Sequence, residues 1–254
     1  MNSANRWDIT ALRERAFVFD ESLKATKRAI EPAPDFWYPY GTVNNFLHLE
    51  RLLHGENRYL LELAGGAPVA DVGAADGDLA FFLEKEHGIR AHVIDHAPTN
   101  FNSMRGVRRL REALGSSVAI HDIDLDELHG LPEERFGLIF FLGILYHLKN
   151  PFHALESLAR CSKHLVLSTR VAQLSPDKKT NFSKLPVAYL LHESESNNDP
   201  TNFWIFSEAG LRRIIHRSGW DVLELITVGK TEGSDPASQE GDERAFCLLR
   251  SRRV

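Results

Sequence analysis

Val69-Ala70-Asp71-Val72-Gly73-Ala74-Ala75-Asp76-Gly77-Asp78 decides how this chain folds. A short apolar run ends in an acid, turns through small residues, and enters an amphipathic segment with Leu79, Phe82 and Leu83 on one face. That succession predicts a strand, a tight loop and a helix N-terminus. Gly73 and Gly77, with Ala74 and Ala75 between them, permit strained backbone torsions and let a ligand approach the main chain closely. The N–H groups of the first helical turn then face whatever lies over the loop.

The loop excludes two common ligands. A dinucleotide fingerprint requires small residues at the first, third and sixth positions counted from Gly73, and Asp78 would stand in the place of the third glycine. A carboxylate there repels a pyrophosphate. No Gly-Lys-Ser/Thr follows, so the loop is not a P-loop either.

Outward from the loop the chain reads as follows. Trp7 to Ile30 places Ile9, Leu12, Ala16 and Leu23 at helical spacing, and Glu31-Pro32-Ala33-Pro34 breaks that pattern. Asp35-Phe36-Trp37-Tyr38-Pro39-Tyr40-Gly41 follows, the densest aromatic cluster of the chain. It reads either as a plug docking the first helix or as a lid whose rings cover a flat or cationic ligand. Asn44 to Leu63 suggests a helix pair. Ala91 to Asp95 and Val118 to Asp122 read as buried strands that end in acids, with a basic helix from Met104 to Leu114 between them. Gly137 to Gly143 is wholly apolar, as in the centre of a parallel sheet covered on both faces. Asn150-Pro151 offers a helix cap and a proline at the first helical position. His164 to Ser168 reads as a fifth strand.

Strand alternates with helix throughout, which predicts a doubly wound, mostly parallel sheet that binds ligands beyond the carboxyl ends of its strands. Asp71, Asp95, Asp122 and Gly143 all fall on that edge. Residues 170–206, which include Asn197-Asn198, lack periodicity, and a long irregular insertion in a compact domain is usually functional. Ser207 then caps a helix, and Asp221 to Val228 and Arg244 to Leu249 read as a closing hairpin.

Composition sets the outer bounds. Lys and Arg number 30 against 35 for Asp and Glu, so bulk charge gives no reason to expect nucleic acid. Arg105, Arg108, Arg109 and Arg111 read as a solvated helix face. Cys161 and Cys247 sit in apolar contexts, which suits buried thiols in a reducing compartment. The first residues carry no signal-peptide pattern and no apolar run is long enough to span a bilayer. A cytoplasmic location is expected, with no membrane partner. The scattered histidines show no metal-ligand spacing, and no Gly-x-Ser-x-Gly elbow occurs.

With the acid of Asp71 and small residues at Gly73, Ala75 and Gly77, the opening stretch resembles motif I of the class I S-adenosylmethionine-dependent methyltransferases. Phe141-Leu142-Gly143-Ile144-Leu145-Tyr146-His147-Leu148-Lys149-Asn150-Pro151-Phe152 resembles the fourth-strand motif of a branch that includes the tRNA wobble-uridine (carboxy)methyltransferases. Asn202 to Leu211 resembles the stretch before that branch's last helix. The resemblance implies a Rossmann-like seven-stranded sheet closed by an antiparallel hairpin, over residues 65–254; from their own pattern, residues 1–64 read as a helical extension and aromatic lid. It implies S-adenosyl-L-methionine as cofactor, leaving as S-adenosyl-L-homocysteine. Asp71, Gly73 and Ala75 would hold the methionine moiety, Asp95 the ribose hydroxyls, and Asp122 and the Ile123 N–H the adenine, with Asp124 a rival to Asp122. Leu142, Gly143 and Tyr146 would line the methionine side; from the density of rings beside prolines, Trp37 is expected to close over the cofactor. Tyr146 and His147 are the candidate catalytic residues, His147 as base. Where the carboxymethylating enzymes carry an Arg for the extra carboxylate, this chain has Thr201-Asn202, which favours the ordinary cofactor.

The expected function is methyl transfer to oxygen or nitrogen of a small or medium-sized acceptor bound by residues 170–206. A tRNA-modifying (carboxy)methyltransferase is one alternative, disfavoured by net charge. A non-catalytic cofactor-binding or partner subunit is the other. Sequence does not set the oligomeric state.

Overall fold

The computed structural model describes residues 7–33, 35–127, 130–133, 135–196, 198–230, 232–238 and 240–254. Pro34 and Asn197, read above as part of a break and of an irregular segment, lie outside the described residues. The chain forms two compact units: Met1–Asp124 with Pro132–Phe140, and Leu125–Leu131 with Phe141–Val254.

In the first unit, α1 (Ile9–Ile30) buries Ile9, Leu12, Ala16, Phe19 and Leu23 on one stripe. The Asp8 side chain starts it by accepting the Ala11 N–H at 3.0 Å. Pro32 follows its last turn. α2 (Asn45–Leu52) buries Phe46, Leu49 and Leu52. The second helix expected before Leu63 is replaced by two 3-10 turns, Gly55–Arg58 and Leu60–Ala64. Leu53 and His54 are extended after α2, and Gly55 opens the first of these turns in a left-handed conformation at φ 52°. β1 (Val69–Val72), α3 (Asp78–His87), β2 (Ala91–Asp95), α4 (Arg105–Ala113) and β3 (Ala119–Asp122) then alternate. α3 stops at left-handed Gly88, whose N–H bonds the Glu84 carbonyl at 2.9 Å. β4 (Phe136–Leu142) begins in this unit, and the strand order is β3-β2-β1-β4. β1, β2 and β3 run parallel, with Val72 opposite Ile94 and Asp95 opposite Asp122. The acids therefore come out at the carboxyl ends together. Gly137 in β4 lies against the first unit's 3-10 turn so closely that a Cβ would stand 1.9 Å from the Ala64 carbonyl oxygen.

In the second unit, the end of β4 is tied to β5 (Ser162–Val171) by the Gly143 N–H, which donates to the Ser168 carbonyl at 3.0 Å. α5 (Pro151–Cys161) carries proline at its first turn. Asn150 does not cap it: its side chain makes no cap bond, and Asp126 instead receives the Lys149 and Asn150 N–H groups at 3.1 and 2.7 Å. Beyond β5 come β6 (Ala188–Leu190), β7 (Trp204–Phe206), α6 (Glu208–Arg217), β8 (Trp220–Gly229) and β9 (Glu243–Ser251). Ser207 caps α6, accepting the Gly210 N–H at 2.9 Å. β9 runs antiparallel to β5 from His164↔Arg250 to Val171↔Glu243, and β8 antiparallel to β9. That is the expected closing hairpin. β6 and β7 are additions to the expected seven strands. They pair antiparallel with each other, and β7 meets β5 at the single position Val171↔Phe206.

The fold class is thus the expected one, a mixed α/β Rossmann-like architecture with a mostly parallel sheet. No helix among the described residues is long and apolar enough to cross a membrane.

Trp220 is fully buried at the foot of β8, and its indole N–H donates to the Leu155 carbonyl at 2.9 Å. Trp220→Ala should cost about 3–5 kcal/mol of stability, read from the urea midpoint. Trp220→Phe should recover part of it, because packing returns and the hydrogen bond does not.

Candidate active site

The motif loop of the first unit is built on positive φ. Gly73 sits at 71°, Ala75 at 55° and Gly77 at 80°. Ala75 bears a side chain in a left-handed conformation, a strained state that persists only when its surroundings fix it. The fixing contact is its N–H, which donates to Asp95 Oδ2 at 2.8 Å. At Gly77 a Cβ would meet Val107 Cγ2 at 2.8 Å and Val93 Cγ2 at 3.2 Å, so only glycine lets α3 start this close to the sheet.

Asp95 also accepts the His96 N–H at Oδ1 (2.8 Å) and Asn100 Nδ2 at Oδ2 (3.0 Å). A carboxylate offers about four lone-pair sites, and protein donors take three of them. Burial raises its pKa, against the pull of these donors. Asp122 is exposed and accepts the Ala97 N–H at 2.9 Å. The Ile123 N–H, expected to face an adenine ring, donates to the Asp95 carbonyl at 2.8 Å instead. The backbone pairing that continues β2 beside β3 occupies it.

Asp71 is buried, and its Oδ2 has no hydrogen-bond partner. Burial, then the charges of Asp95 and Asp78, push its pKa up to about 8. Asp78 is raised as well, by burial first.

Sequence reasoning missed the group that holds these acids. Lys27 Nζ, on the last turn of α1, lies 2.8 Å from Asp78 Oδ1 and 3.2 Å from Asp76 Oδ2. Burial works against its charge, but Asp78 and Asp76 outweigh that and hold its pKa above the ordinary value. Asp76 further accepts the Tyr38 N–H at 2.9 Å and Asn102 Nδ2 at 2.7 Å. The available signal was Lys27 itself, a cation four residues after Leu23 on the apolar stripe of α1.

Trp37 belongs to the same assembly. Its indole N–H donates to the Glu31 carbonyl at 3.0 Å, and Lys27 Nζ stands 5.4 Å from its ring centroid. The Phe36 ring lies beneath Arg109 at 4.9 Å and Arg105 at 5.4 Å. These contacts dock the aromatic segment against α1 and α4. Asp71, Asp76, Asp78 and Asp95 thus surround the loop with Lys27 as their counter-charge, an excess of negative charge that suits a cationic ligand and repels a pyrophosphate.

The second unit brings Leu142, Gly143, Tyr146 and His147 together. Leu142 ends β4, half-buried, and Gly143 turns the chain at φ 78°. Tyr146 is buried among Ala172, Phe182, Leu191 and Ile205, and its carbonyl accepts the Phe203 N–H at 2.8 Å. Arg244, which the sequence did not single out, places its guanidinium carbon 5.8 Å from the Tyr146 ring centroid. Arg244 Nη1 and the Tyr146 hydroxyl both lie near Gly143, 3.9 and 4.0 Å from where a Cβ would stand. His147 Nδ1 lies 3.1 Å from the Thr201 carbonyl and 3.0 Å from Thr201 Oγ1. Burial lowers its pKa and Arg244 adds to that, while the Thr201 carbonyl and Asp199 pull it up. The net direction is down, so the imidazole is neutral at neutral pH.

A raised carboxyl pKa carries a stability consequence. Between the unfolded value near about 4 and the folded value of about 8, the unfolded chain has released the Asp71 proton and the folded one keeps it. Stability then falls as pH rises through that window. Asp71→Asn should remove the fall, so the variant should melt above wild type at pH 8 and converge with it near pH 4. A difference in melting temperature that does not grow with pH would count against a buried carboxyl that keeps its proton.

Comparison with known proteins bears on the family and the fold. The sequence family described as "Methyltransferase domain" matches residues 45–225. The tRNA U34 carboxymethyltransferase of Helicobacter pylori (strain Shi470) is 27% identical over 176 residues, covering 64% of this chain and 59% of that protein. The same enzyme from strain J99 is 26% identical over 179 residues. The chain therefore spans well under two thirds of the length of these curated relatives. Among solved structures, the N-terminal domain of EvdMO1, in the presence of SAH and D-fucose, is similar at a TM-score of 0.57 with 18% identity, covering 92% of this chain and 97% of that one. The cyclase SpnF is similar at 0.56 with 13% identity, covering 93% and 96%. At such identities these likenesses speak to the fold.

Proposed function

This chain belongs to the methyltransferase-domain family, and we propose that it transfers the methyl group of S-adenosylmethionine to an oxygen or nitrogen of a small or medium-sized acceptor. The observation that carries this is the buried Asp71 oxygen without a partner, beside Asp95 and Asp78. A ligand bearing an ammonium and a sulfonium supplies the positive charge that such a cluster lacks. Asp71, Gly73 and Ala75 hold its methionine portion, Asp95 the ribose through its remaining lone pair, and Asp122 the adenine amino group. Trp37 backs the loop through Lys27. When bound, the cofactor supplies an electrophilic methyl and leaves as S-adenosylhomocysteine.

The remaining work falls to the chain's own groups. His147, neutral and half-buried, takes the acceptor's proton. Tyr146 and Arg244 orient the acceptor, and residues 170–206, with β6 and β7, frame it. Positioning and exclusion of water supply most of the acceleration.

Arg244 favours a second reading. The sequence lacks an Arg at Thr201-Asn202, but in the second unit Arg244 stands by Gly143 and Tyr146 and offers a cation for a carboxylate. By analogy with the names of its curated relatives, the chain would then carboxymethylate a tRNA uridine. Its net charge of −5 weighs against so polyanionic an acceptor. A role as a non-catalytic subunit is the remaining alternative, since fold does not fix activity.

The test is an acceptor screen with S-adenosylmethionine, read as S-adenosylhomocysteine formed, with product mass distinguishing methyl from carboxymethyl. On the acceptor found, His147→Ala should lower turnover by about 10²-fold or more and leave cofactor affinity nearly intact. Equal turnover in variant and wild type across neutral pH would remove His147 as the base.

A further inference from the structure

His147 ends a 3-10 turn, Leu145–His147, directly after β4, and residues 199–202 form the turn that precedes β7. They meet at one ring nitrogen. Nδ1 lies 3.1 Å from the Thr201 carbonyl oxygen, which can only accept, so Nδ1 carries the hydrogen. The hydroxyl agrees: Thr201 Oγ1 donates its one proton to Asp199 Oδ1 at 2.6 Å and keeps only lone pairs for the ring 3.0 Å away. Asp199 is itself fixed. Its Oδ1 also accepts the Thr201 N–H at 2.9 Å, and its carbonyl accepts the Asn202 N–H at 3.1 Å. With Nδ1 protonated and the ring neutral, Nε2 holds the free lone pair.

We infer that Thr201 and Asp199 are positioning residues for methyl transfer, holding His147 as the Nδ1–H tautomer so that Nε2 takes the acceptor's proton. The inference rests on the reading of His147 as base. In the transfer, the acceptor's bond to hydrogen breaks and its proton passes to Nε2. The electron pair left on the acceptor forms the bond to the methyl carbon, and the pair of the breaking carbon–sulfur bond returns to sulfur. Two charged groups act on the imidazolium that results: Asp199 favours it and Arg244 opposes it. Thr201 thus occupies with a new role the place where the resemblance had expected a cofactor-binding Arg.

The test reads the tautomer directly and needs no acceptor. Long-range proton–nitrogen correlation spectra of ¹⁵N-labelled protein are recorded above the imidazole titration, with His147 assigned by its loss in His147→Gln. Wild type should show a pyrrole-type Nδ1 and a pyridine-type Nε2. Thr201→Val, which keeps the carbonyl but loses the hydroxyl, should shift the ratio toward the Nε2–H form by about fivefold, and Thr201→Ser should retain the wild-type ratio. Asp199→Asn should lower the midpoint of the His147 titration. An Nε2–H wild type overturns the inference, an unchanged ratio in Thr201→Val removes the hydroxyl from it and leaves the carbonyl as the positioning group, and an unchanged midpoint in Asp199→Asn removes Asp199 from it. If the spectra are as expected but His147→Gln still transfers methyl at the wild-type rate, the base reading fails while the tautomer assignment stands.

Discussion

The first unit depends on one buried ionic contact, Lys27 between Asp76 and Asp78 at the start of α3. Taking charges out of water is costly, and such an arrangement persists only when each group is paired and hydrogen-bonded. Here both oxygens of Asp76 are engaged, by Lys27, Tyr38 and Asn102. The contact gathers the end of α1, the aromatic segment and the approach to α4 around the motif loop. Removal of the lysine would leave acids buried without compensation, a larger loss than the pair itself contributes. The N-terminal segment is in this sense part of the loop's support.

The same contact leaves a deficit. One lysine serves a region that also contains Asp71 and Asp95, and Asp71 resolves its burial by keeping its proton up to about 8. A site prepared in this way is stabilised by a cationic ligand and penalised by an anionic one. The second unit handles charge in the opposite manner. Burial and Arg244 keep His147 neutral, while Thr201 and Asp199 keep a path open for its charging. A group that must gain a proton during reaction is served by a surround that does not supply it beforehand.

Much of this was legible in the sequence, for identifiable reasons. Ala91 to Asp95 is a short, mostly apolar run closed by an acid, and the strand has those bounds. The closing hairpin was readable because β8 and β9 are long and alternate with a polar loop. β6 and β7 were not, since three residues carry no period and Phe203 and Ser207 hold them by contacts distant in sequence, to Tyr146 and Val187. The helix expected before Leu63 gave way to two 3-10 turns, after extended residues at Leu53 and His54. The acids at the strand ends were visible one by one, but Lys27 lies 49 residues before Asp76 and its pairing is purely tertiary. Ile123 shows the same limit: its place beyond β3 was readable, the Asp95 carbonyl it satisfies was not. Thr201 was read only as a missing arginine, because its hydrogen bond to His147 spans 54 residues.

The central claim is that a buried, protonated Asp71, with one oxygen left without a partner, awaits a cationic cofactor. Isothermal titration calorimetry of S-adenosylmethionine at pH 7, in buffers of different ionisation enthalpy, tests it most directly. A positive charge beside Asp71 favours its ionised form, so binding should release a proton in wild type and release less in Asp71→Asn. Binding with the same proton balance in both proteins, or NAD binding as tightly as S-adenosylmethionine, would contradict the account.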